Sequence, residues 1–463
     1  MVDPVLFDKD LIARYAQSGP RYTSYPTAVN FHDGFNDVHY ANMAQRTNED
    51  FIPSPLSLYF HLPFCSRVCF YCACNKIITK NRQRAVSYLS TLHREIALQG
   101  QLFDHDRVVE QLHWGGGTPT FINHSQMRDL MAVTREHFTL RDDDCGDYSV
   151  EIDPRETGED TIVILREIGF NRMSVGVQDF NPDVQEAVNR VQTLDETRSV
   201  IHSARRAGYH SINIDLIYGL PKQTVKGFCE TLNIIVELNP DRIAVYNYAH
   251  LPQIFKSQQN IDEQSLPGAD VKLEILQHTI SYLIQQGYVY IGMDHFAKSD
   301  DELAIAQRNG SLHRNFQGYS THGGCDIIGM GITAISRIGH CYAQNVRSID
   351  EYEYCINNNK IPVFRGIKLD NDDLLRRDVI IQLICHFHIK YSDIEERYGI
   401  NFEDYFYDEL ISLKEMEKHG LLDLDVESIT VSPHGRLLIR NVCMVFDKYF
   451  RSGQPAGTFS KLV

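Results

Sequence analysis

Short apolar runs alternate with longer amphipathic segments over the first half of the chain. The apolar runs are rich in Val, Ile and Tyr, as strands are, and they lie at 56–64, 108–114, 148–152, 172–177, 211–218 and 242–248. Segments of helical character separate them, at 85–98, 126–137, 161–168, 197–207 and 228–238. This alternation predicts a parallel sheet whose strands are joined by right-handed helical crossovers.

Six strand–helix units exceed a single nucleotide-binding half and fall short of a closed eightfold barrel. We therefore predict an α/β fold built on a partial, open (β/α)6 barrel. Chemistry in such folds collects at the carboxyl ends of the strands. Residues able to carry chemistry follow five of the predicted strands: a cysteine cluster, the string GGGTP, Glu151, Gln178 and Asp215.

The pattern changes beyond the sixth strand. A helix at 270–286 leads to YVYIGMDHFA, which we predict as one further strand, and then to a glycine-rich region. Residues 357–366 are predicted to be a linker, followed by short helices and a hairpin that runs into a last helix, as in a winged helix. We predict three parts: an N-terminal extension that contributes to the active site (1–50), the barrel with its extension (51–356) and a small, mainly helical C-terminal domain (357–463).

Charge narrows the set of partners. The chain has 45 Lys and Arg against 61 Asp and Glu, a formal net charge of -16. An acidic protein of this kind is not broadly attracted to nucleic acid or to anionic membranes, so we expect neither as a partner. No apolar run approaches the ~18 residues of a membrane helix, and the first residues do not have the basic start of a signal peptide. We expect a cytoplasmic protein with its eleven cysteines reduced.

Four cysteines crowd into the string HLPFCSRVCFYCACNK, at Cys65, Cys69, Cys72 and Cys74. Crowding and the expected compartment disfavour a disulfide. Structural zinc usually takes two C-x2-C pairs separated by a longer loop, which this spacing does not supply. The C-x3-C-x2-C spacing favours an iron–sulfur cluster held by three thiolates, with one iron left open. Zinc and incidental thiols remain alternatives on spacing alone.

The motifs together resemble one family. C-x3-C-x2-C after the first strand of a partial barrel is typical of the radical S-adenosylmethionine (SAM) superfamily. The strings SGPRYTSYPTA, CFYCACNK, HWGGGTPT, VEIDPRE, VGVQDF, NIDLIYGLPKQT, YNYAHLP, GMDHFA and LHRNFQGYST, in this order, resemble the oxygen-independent coproporphyrinogen III oxidase family within it. The resemblance covers residues 18–340, with further similarity in GRLLIRN.

The resemblance implies a cofactor set and a reaction. Cys65, Cys69 and Cys72 would bind one 4Fe-4S cluster, SAM would complete the fourth iron, and Cys74 would stay free. A 5'-deoxyadenosyl radical made from SAM would remove a hydrogen atom from a propionate. Loss of CO2 and of one further electron would then leave a vinyl group. Two such events would convert coproporphyrinogen III to protoporphyrinogen IX in heme biosynthesis, an oxidoreductase activity.

The resemblance also implies two SAM molecules and the residues around them. The matching positions are Tyr59, Tyr71, Gly116, Gly117, Thr118, Glu151, Gln178, Arg190, Asp215, Ala249 and Ile335. Without it, the glycines are equally consistent with an ordinary tight turn, the two carboxylates with structural ion pairs, and the tyrosines with core residues. A reducing partner such as flavodoxin or ferredoxin and a monomeric state are further expectations.

Substrate recognition must overcome the negative field of the chain. Coproporphyrinogen carries four carboxylates, which arginine binds best through paired hydrogen bonds. Arg21 and Arg314 are the candidates, with Gln317 as a further catalytic candidate, although any of them can also be an ordinary surface residue. Two alternatives remain: a heme chaperone of the same superfamily, which usually lacks the fourth cysteine and the SGPRYTSYP segment, and a zinc-stabilised structural protein.

Overall fold

The computed structural model describes residues 5–451, which divide into two compact units. The sheet unit comprises Phe31–Gly268 and Gly324–Lys368. The second unit takes its described residues from Met1–Asn30, Ala269–Gly323 and Leu369–Val463. The three-part division with boundaries at 50/51 and 356/357 stays a prediction.

The sheet unit is built on an open, mixed sheet. Its strands are β1 (Leu56–Leu62), β2 (Val108–Gly116), β3 (Asp147–Ile152), β4 (Arg172–Gln178), β5 (Ser211–Tyr218), β6 (Arg242–Asn247), β7 (Asp326–Met330), β8 (Ile335–Ile338), β9 (Cys341–Asn345) and β10 (Val363–Lys368). They lie in the order β6-β5-β4-β3-β2-β1-β7-β8-β9-β10, and Thr139–Leu140 pairs beside β2. Neighbours from β6 to β7 run parallel, whereas β7 to β10 pair antiparallel. The predicted open α/β architecture is confirmed, with a seventh parallel strand, β7, inside the glycine-rich region.

Five crossover helices accompany the parallel strands: α1 (Gln83–Gly100), α2 (His124–His137), α3 (Glu159–Glu167), α4 (Leu194–Ala207) and α5 (Val225–Leu238). Asn123 and Thr193 begin two of them with side chains that accept backbone N–H bonds in capping boxes. Gly208, at a φ of 81°, ends α4 in the left-handed region that glycine adopts without strain. Local sequence signals therefore set these boundaries within a few residues of the predicted ones.

β1 is buried on both faces. Six of its seven residues are buried, as expected for a central parallel strand covered by helices. Its register places Leu62 opposite Gly116 of β2 and Tyr59 opposite Gly329 of β7. The strand therefore delivers the cysteine segment that follows it next to the glycine turn at the end of β2.

Further elements complete the sheet unit. They are helices Asp37–Thr47, Pro182–Ala187 and Ile349–Asn357, the short strands Phe64–Cys65 and Ile77–Ile78, and single helical turns at Pro119–Phe121, Pro154–Glu156, Lys256–Asn260 and Glu263–Ser265. A further turn, Ala28–Asn30, belongs to the second unit. The linker prediction for 357–366 is wrong from Val363 onward, because Val363–Lys368 pairs with β9. The polar run after Asn357 hid the start of that strand.

The second unit is mostly helical. Its helices are Lys9–Arg14, Ala269–Gln285, Glu302–Arg308, Asn371–His386, Tyr391–Tyr398, Phe402–Tyr405, Tyr407–Lys418, Ile439–Val445 and Lys448–Arg451, with a turn at Gly435–Leu438. Its strand pairs are Tyr288–Gly292 with His295–Lys298 and His313–Asn315 with Gly318–Ser320; a small sheet has the order His388–Lys390, Ser428–Val431, Leu422–Leu424. The predicted C-terminal hairpin is present.

The prediction of one strand over YVYIGMDHFA is wrong. Gly292, Met293 and Asp294 all have positive φ and form a turn, so two antiparallel strands replace the single one. The apolar character of both flanks concealed the turn. Among residues 5–451, no helix combines the length and apolar character needed to cross a membrane.

Candidate active site

The cysteine segment is anchored at both ends. Phe64–Cys65 pairs in parallel with Ile77–Ile78, and the Thr79 amide donates to the Cys65 carbonyl at 2.9 Å. Within the loop the Cys72 amide donates to the Cys69 carbonyl at 3.2 Å. The three cysteines of the C-x3-C-x2-C motif therefore lie on one closed loop directly after β1.

Hydrogen-bond donors surround the thiols. Arg155 Nη2 and Arg190 Nη1 lie 3.4 and 3.5 Å from Cys69 Sγ, and Thr118 Oγ1 lies 3.5 Å from Cys65 Sγ. Burial raises the pKa of Cys65 to about 11, and the neighbouring Cys72 and Cys69 thiols add to that rise. The thiols are thus close enough to influence one another and are approached by cationic donors.

Cys74 faces Cys72 and does not stand apart from the motif. A hydrogen bond from Cys74 lowers the pKa of Cys72 to about 6 against the effect of burial, with Lys76 adding to the fall. Lys76 Nζ also donates to the Cys72 carbonyl at 2.8 Å. The loop therefore favours a thiolate at Cys72.

The glycine turn after β2 requires glycine at two positions. Gly116 has a φ of 113°, and a Cβ there would lie 2.7 Å from the His61 ring. At Gly117 a Cβ would lie 2.7–2.8 Å from the backbone of Pro63 and Phe64, to which the turn is bonded through Gly117 N–Leu62 O and Thr118 N–Phe64 O, both 2.8 Å. Absence of Cβ lets this turn pack against the start of the cysteine segment.

Glu151, near the end of β3, is held from two sides. Gly116 N donates to its Oε2 at 3.1 Å, and His113 Nε2 lies 3.3 Å from its Oε1. Partial burial raises the pKa of Glu151, but His113 and the Gly116 amide outweigh burial, and the net pKa is below the ordinary value. The side chain of Glu151 is 43% exposed. A charged carboxylate is therefore accessible at the strand ends.

Asp215 occupies the interior of β5, three residues before its end, and not the strand terminus that the sequence predicted. Ser174 Oγ donates to it at 2.6 Å and Asn213 Nδ2 at 2.9 Å. Burial raises the pKa of Asp215 to about 6 despite the Ser174 bond, and the charge of Glu151 adds to the rise. The two carboxylates therefore share one electrostatic environment.

Arg190 joins the strand ends to the cysteine loop. It donates to the Gly176 carbonyl at 2.6 Å and to Asp153 at 3.2 Å, besides approaching Cys69. Gln178, at the irregular end of β4, has a φ of 71° and lies beside Gly176. Arg190 and Gln178 therefore both lie against Gly176, and their contact with SAM stays a prediction.

The remaining predicted SAM residues of the sheet unit are Tyr59, Tyr71, Ala249 and Ile335. The Tyr59 ring stacks on His113 at 5.7 Å between centroids. Gln258 Nε2 donates to the carbonyls of Tyr71 and Ala249 at 3.1 and 3.2 Å, which brings those two residues together. Ile335 begins β8, and its backbone packs against Gly329, the neighbour of Tyr59 in register.

Arg21, Arg314 and Gln317 belong to the second unit. Arg314 is 8% exposed and lies over the Tyr319 ring at 4.6 Å. Its Nε and Nη1 have no hydrogen-bond partner among residues 5–451. The Nε2 of Gln317, in the adjoining turn, is also buried without a partner in the described part of the chain. Arg21 is 3.7 Å from Asp294. Arg314 and Gln317 therefore each have buried N–H groups that no acceptor in the described residues pairs with.

Sequence reasoning missed several residues of this site. His113, Ser174 and Asn213 lie on strands, at even spacing from Gly115 of the GGGTP string, Gln178 and Asp215, and alternation along the strand is a signal that would have found them. Arg155 follows Glu151 within VEIDPRE. Gln258 lies in an irregular segment and has no such signal.

Comparison with known proteins decides the family. Residues 59–235 match the radical SAM superfamily model, and residues 369–438 match the HemN C-terminal domain. The chain is 51% identical to the oxygen-independent coproporphyrinogen III oxidase of Pseudomonas aeruginosa over 455 residues, covering 98% of each chain. It is 49% identical to the enzyme of that name from Escherichia coli K12 over the full length of both.

The chain belongs to the oxygen-independent coproporphyrinogen III oxidase family. A solved structure of a member, coproporphyrinogen III oxidase (HemN) from Escherichia coli, a radical SAM enzyme, matches with a TM-score of 0.91 and 48% identity, over 96% of this chain and 100% of that one. This oxidase family is a family of radical SAM oxidoreductases, and membership implies a 4Fe-4S cluster and SAM.

The residues present fit those cofactors. Among residues 5–451, no three or more His, Cys, Asp and Glu side chains converge as ligands of a single metal ion. Cluster thiolates bind separate irons, so they need not converge on one point. N–H and O–H donors near Cys65 and Cys69 are of the kind that tunes cluster sulfurs. The donor set of this oxidase thus suits an iron–sulfur cluster.

Proposed function

We propose that this protein converts coproporphyrinogen III to protoporphyrinogen IX by oxidative decarboxylation of two propionates to vinyl groups. The observation that carries the proposal is the likeness, over essentially the whole chain, to enzymes named coproporphyrinogen III oxidase. The reaction is a step of heme biosynthesis.

Cys65, Cys69 and Cys72 are proposed to hold one 4Fe-4S cluster, with SAM on the fourth iron. Support comes from their closed loop and from the arginine donors beside Cys69. When bound, the reduced cluster and SAM supply a carbon-centred radical able to remove hydrogen from an unactivated propionate. The protein positions the reactants, and Cys74 does not ligate iron.

The strand ends are proposed to bind SAM. Gly116, Gly117 and Thr118 let backbone groups approach its methionyl end, since the turn has no Cβ at the glycines. Glu151 keeps a charged carboxylate for the sulfonium, and Asp215 accepts from ribose hydroxyls. The other proposed contacts for two SAM molecules are Tyr59, Tyr71, Gln178, Arg190, Ala249 and Ile335.

Propionate recognition is assigned to the second unit. Arg314 is proposed to pair with a substrate carboxylate, because burying its Nε and Nη1 without acceptors from the described residues costs free energy that a bound propionate would offset. Gln317 presents a second unused donor, and Arg21 is the further candidate.

Reconstitution without oxygen tests the function. The holoenzyme with SAM, a chemical reductant and coproporphyrinogen III is expected to lose two carboxyl groups per substrate as vinyl groups appear by mass spectrometry. Stoichiometric heme binding without turnover would favour the heme chaperone. Tightly bound zinc in place of iron would contradict both.

We also propose that the enzyme is a cytoplasmic monomer that receives electrons from flavodoxin or ferredoxin. The acidic composition and the absence of a membrane-length helix within the described chain are compatible with this proposal. Light scattering of the holoenzyme at micromolar concentration tests the monomer; a mass of twice 53.2 kDa would contradict it.

A further inference from the structure

The sequence around the cysteine loop has an unusual charge. From residue 51 to residue 94 there is no Asp or Glu, whereas Lys and Arg occur six times. With 61 acids in 463 residues, a stretch of this length would contain about six. A chain with a net charge of -16 therefore keeps one segment purely cationic, and that segment carries the three motif cysteines.

Three of these cations project from the surface of the sheet unit. Arg67 lies within the cysteine loop, Lys80 follows its anchoring strand, and Arg84 opens α1; all three are exposed. None of them forms an ion pair among residues 5–451, in contrast to Arg82, which reaches Glu156 at 3.9 Å. We call Arg67, Lys80 and Arg84 the basic rim.

Helix stability does not favour the positive charge at the start of α1. The N-terminus of a helix carries partial positive charge, so acids stabilise its first turn and cations destabilise it. The first turn of α1 contains no acid, Arg82 at its N-cap makes no capping bond, and Arg84 is its second residue. Positive charge is thus retained where local electrostatics disfavour it, which points to a role other than helix stability.

Apolar groups complete the surface. Ile78 is 41% exposed and Val86 is 48% exposed, and each lies two positions along the chain from a cation of the rim, Lys80 and Arg84 respectively. A mixture of unpaired charge and exposed aliphatic side chains suits a partner whose charge is opposite. The rest of the chain, being acidic, repels such a partner and leaves the rim as the attractive face.

The rim adjoins the proposed cluster ligands through the backbone. Ile78 is the Cα partner of Cys65 in the short parallel pair, and Thr79 donates to the Cys65 carbonyl. Arg67 lies between Cys65 and Cys69 in the sequence. A protein docked on the rim would therefore sit next to the thiols and not across the fold from them.

We propose that the basic rim is the docking surface for an acidic electron-transfer protein that delivers single electrons to the cysteine-bound centre. This rests on the proposed function, which requires a reductant. The partner carries a low-potential flavin or iron–sulfur group and an acidic face; it is oxidised by one electron for each electron received by the enzyme. Binding is electrostatic and weakens with salt.

Charge reversal tests the rim. In the holoenzyme, the double variant K80E/R84E is expected to bind oxidised flavodoxin on the order of tenfold more weakly than wild type in 50 mM salt, measured by calorimetry, with a smaller difference in 300 mM salt. Arg84→Glu places an acid in the first turn of α1, so the melting temperature should not fall.

Lys226→Glu is the matched control, since Lys226 is an exposed cation at the second position of α5. It should leave flavodoxin binding unchanged. Equal weakening by K226E, or undiminished binding by K80E/R84E, would overturn the proposal. The proposal would also be overturned if wild type bound no flavodoxin but bound a short RNA or anionic vesicles, and K80E/R84E lost that binding.

Two reductants separate this proposal from the proposed function. With dithionite, K80E/R84E should cleave SAM at the wild-type rate, whereas with reduced flavodoxin its rate should fall. An equal fall with both reductants would place the defect in the site itself and contradict the docking role. Failure of wild type to convert coproporphyrinogen with dithionite would refute the proposed function. The flavodoxin-binding measurement would still test whether the basic rim is a docking surface.

Discussion

The amide of Gly116 donates a 3.1 Å hydrogen bond to the carboxylate of Glu151. Two consecutive strands thus fix each other's ends: the turn after β2 orients the acid of β3, and the acid holds the turn closed. Both residues are proposed to contact SAM, so the bond joins the two halves of its binding site before the cofactor arrives.

Gly116→Ala should disrupt this arrangement. The new Cβ would lie 2.7 Å from the His61 ring at a φ of 113°, so we expect a loss of about 1–3 kcal/mol in the free energy of unfolding and a large loss of SAM affinity. Gly208→Ala is the control, because its φ of 81° is also positive but nothing lies within 4 Å. It should lose about 1 kcal/mol and keep SAM binding. Urea denaturation and equilibrium dialysis measure both; equal SAM affinity in the two variants would contradict the role of the turn.

Cys69→Ser should remove the cluster while leaving the fold intact. A thiolate ligand is lost, but little core volume changes. We expect iron content and SAM cleavage to collapse with an unchanged circular dichroism spectrum. Cys145→Ser, at an exposed cysteine, should keep both. A fully loaded cluster in the Cys69 variant would refute the ligand assignment.

Arg314→Met should impair substrate binding without harming stability. The substitution removes a buried charge whose Nε and Nη1 lack acceptors, so the free energy of unfolding should stay equal or rise. The KM for coproporphyrinogen III should rise at least tenfold if the guanidinium pairs with a propionate. SAM cleavage without substrate should be unaffected. Arg308→Met, at an exposed arginine, is the control; an unchanged KM at Arg314 would reject the assignment.

Glu95 should make stability depend on pH. Burial raises the pKa of Glu95 to about 7 from a usual value near 4.5, even though Tyr352, the Gly331 amide and Asn345 donate to it. The folded protein therefore retains a proton that the unfolded chain releases. This contribution is complete below pH 4.5 and is lost as pH rises through 7, by about 3 kcal/mol.

The comparison with Glu95→Gln isolates that effect. The amide cannot titrate, so the free energy of unfolding of the variant should fall less between pH 5 and pH 7.5 than that of wild type. Glu186→Gln, at an exposed glutamate, should keep the wild-type slope. Parallel slopes for all three proteins would show that Glu95 stays ionised in the folded state.

The sequence predicted the parallel part of the fold well because its signals are local. Alternation of apolar strands and capped helices needs only neighbouring residues, and Ser211–Tyr218 has the bounds the pattern predicted. β10 escaped prediction because a polar run precedes it, and the turn at Met293 because both of its flanks are apolar. The same division holds in the site: motif residues such as Gly116 and Glu151 could be predicted, whereas Gln258, which joins Tyr71 to Ala249, could not, since its role arises only when separate segments meet.

The short parallel pair of Phe64–Cys65 with Ile77–Ile78 has a consequence for cofactor assembly. It closes the cysteine segment into a ring of chain whose ends are already tied by backbone hydrogen bonds. Loop closure is an entropic cost that must otherwise be met when ligands from a free chain gather round a metal. Here the protein meets that cost during folding, so inserting a cluster orders only the interior of the ring and draws less on the energy of the iron–thiolate bonds.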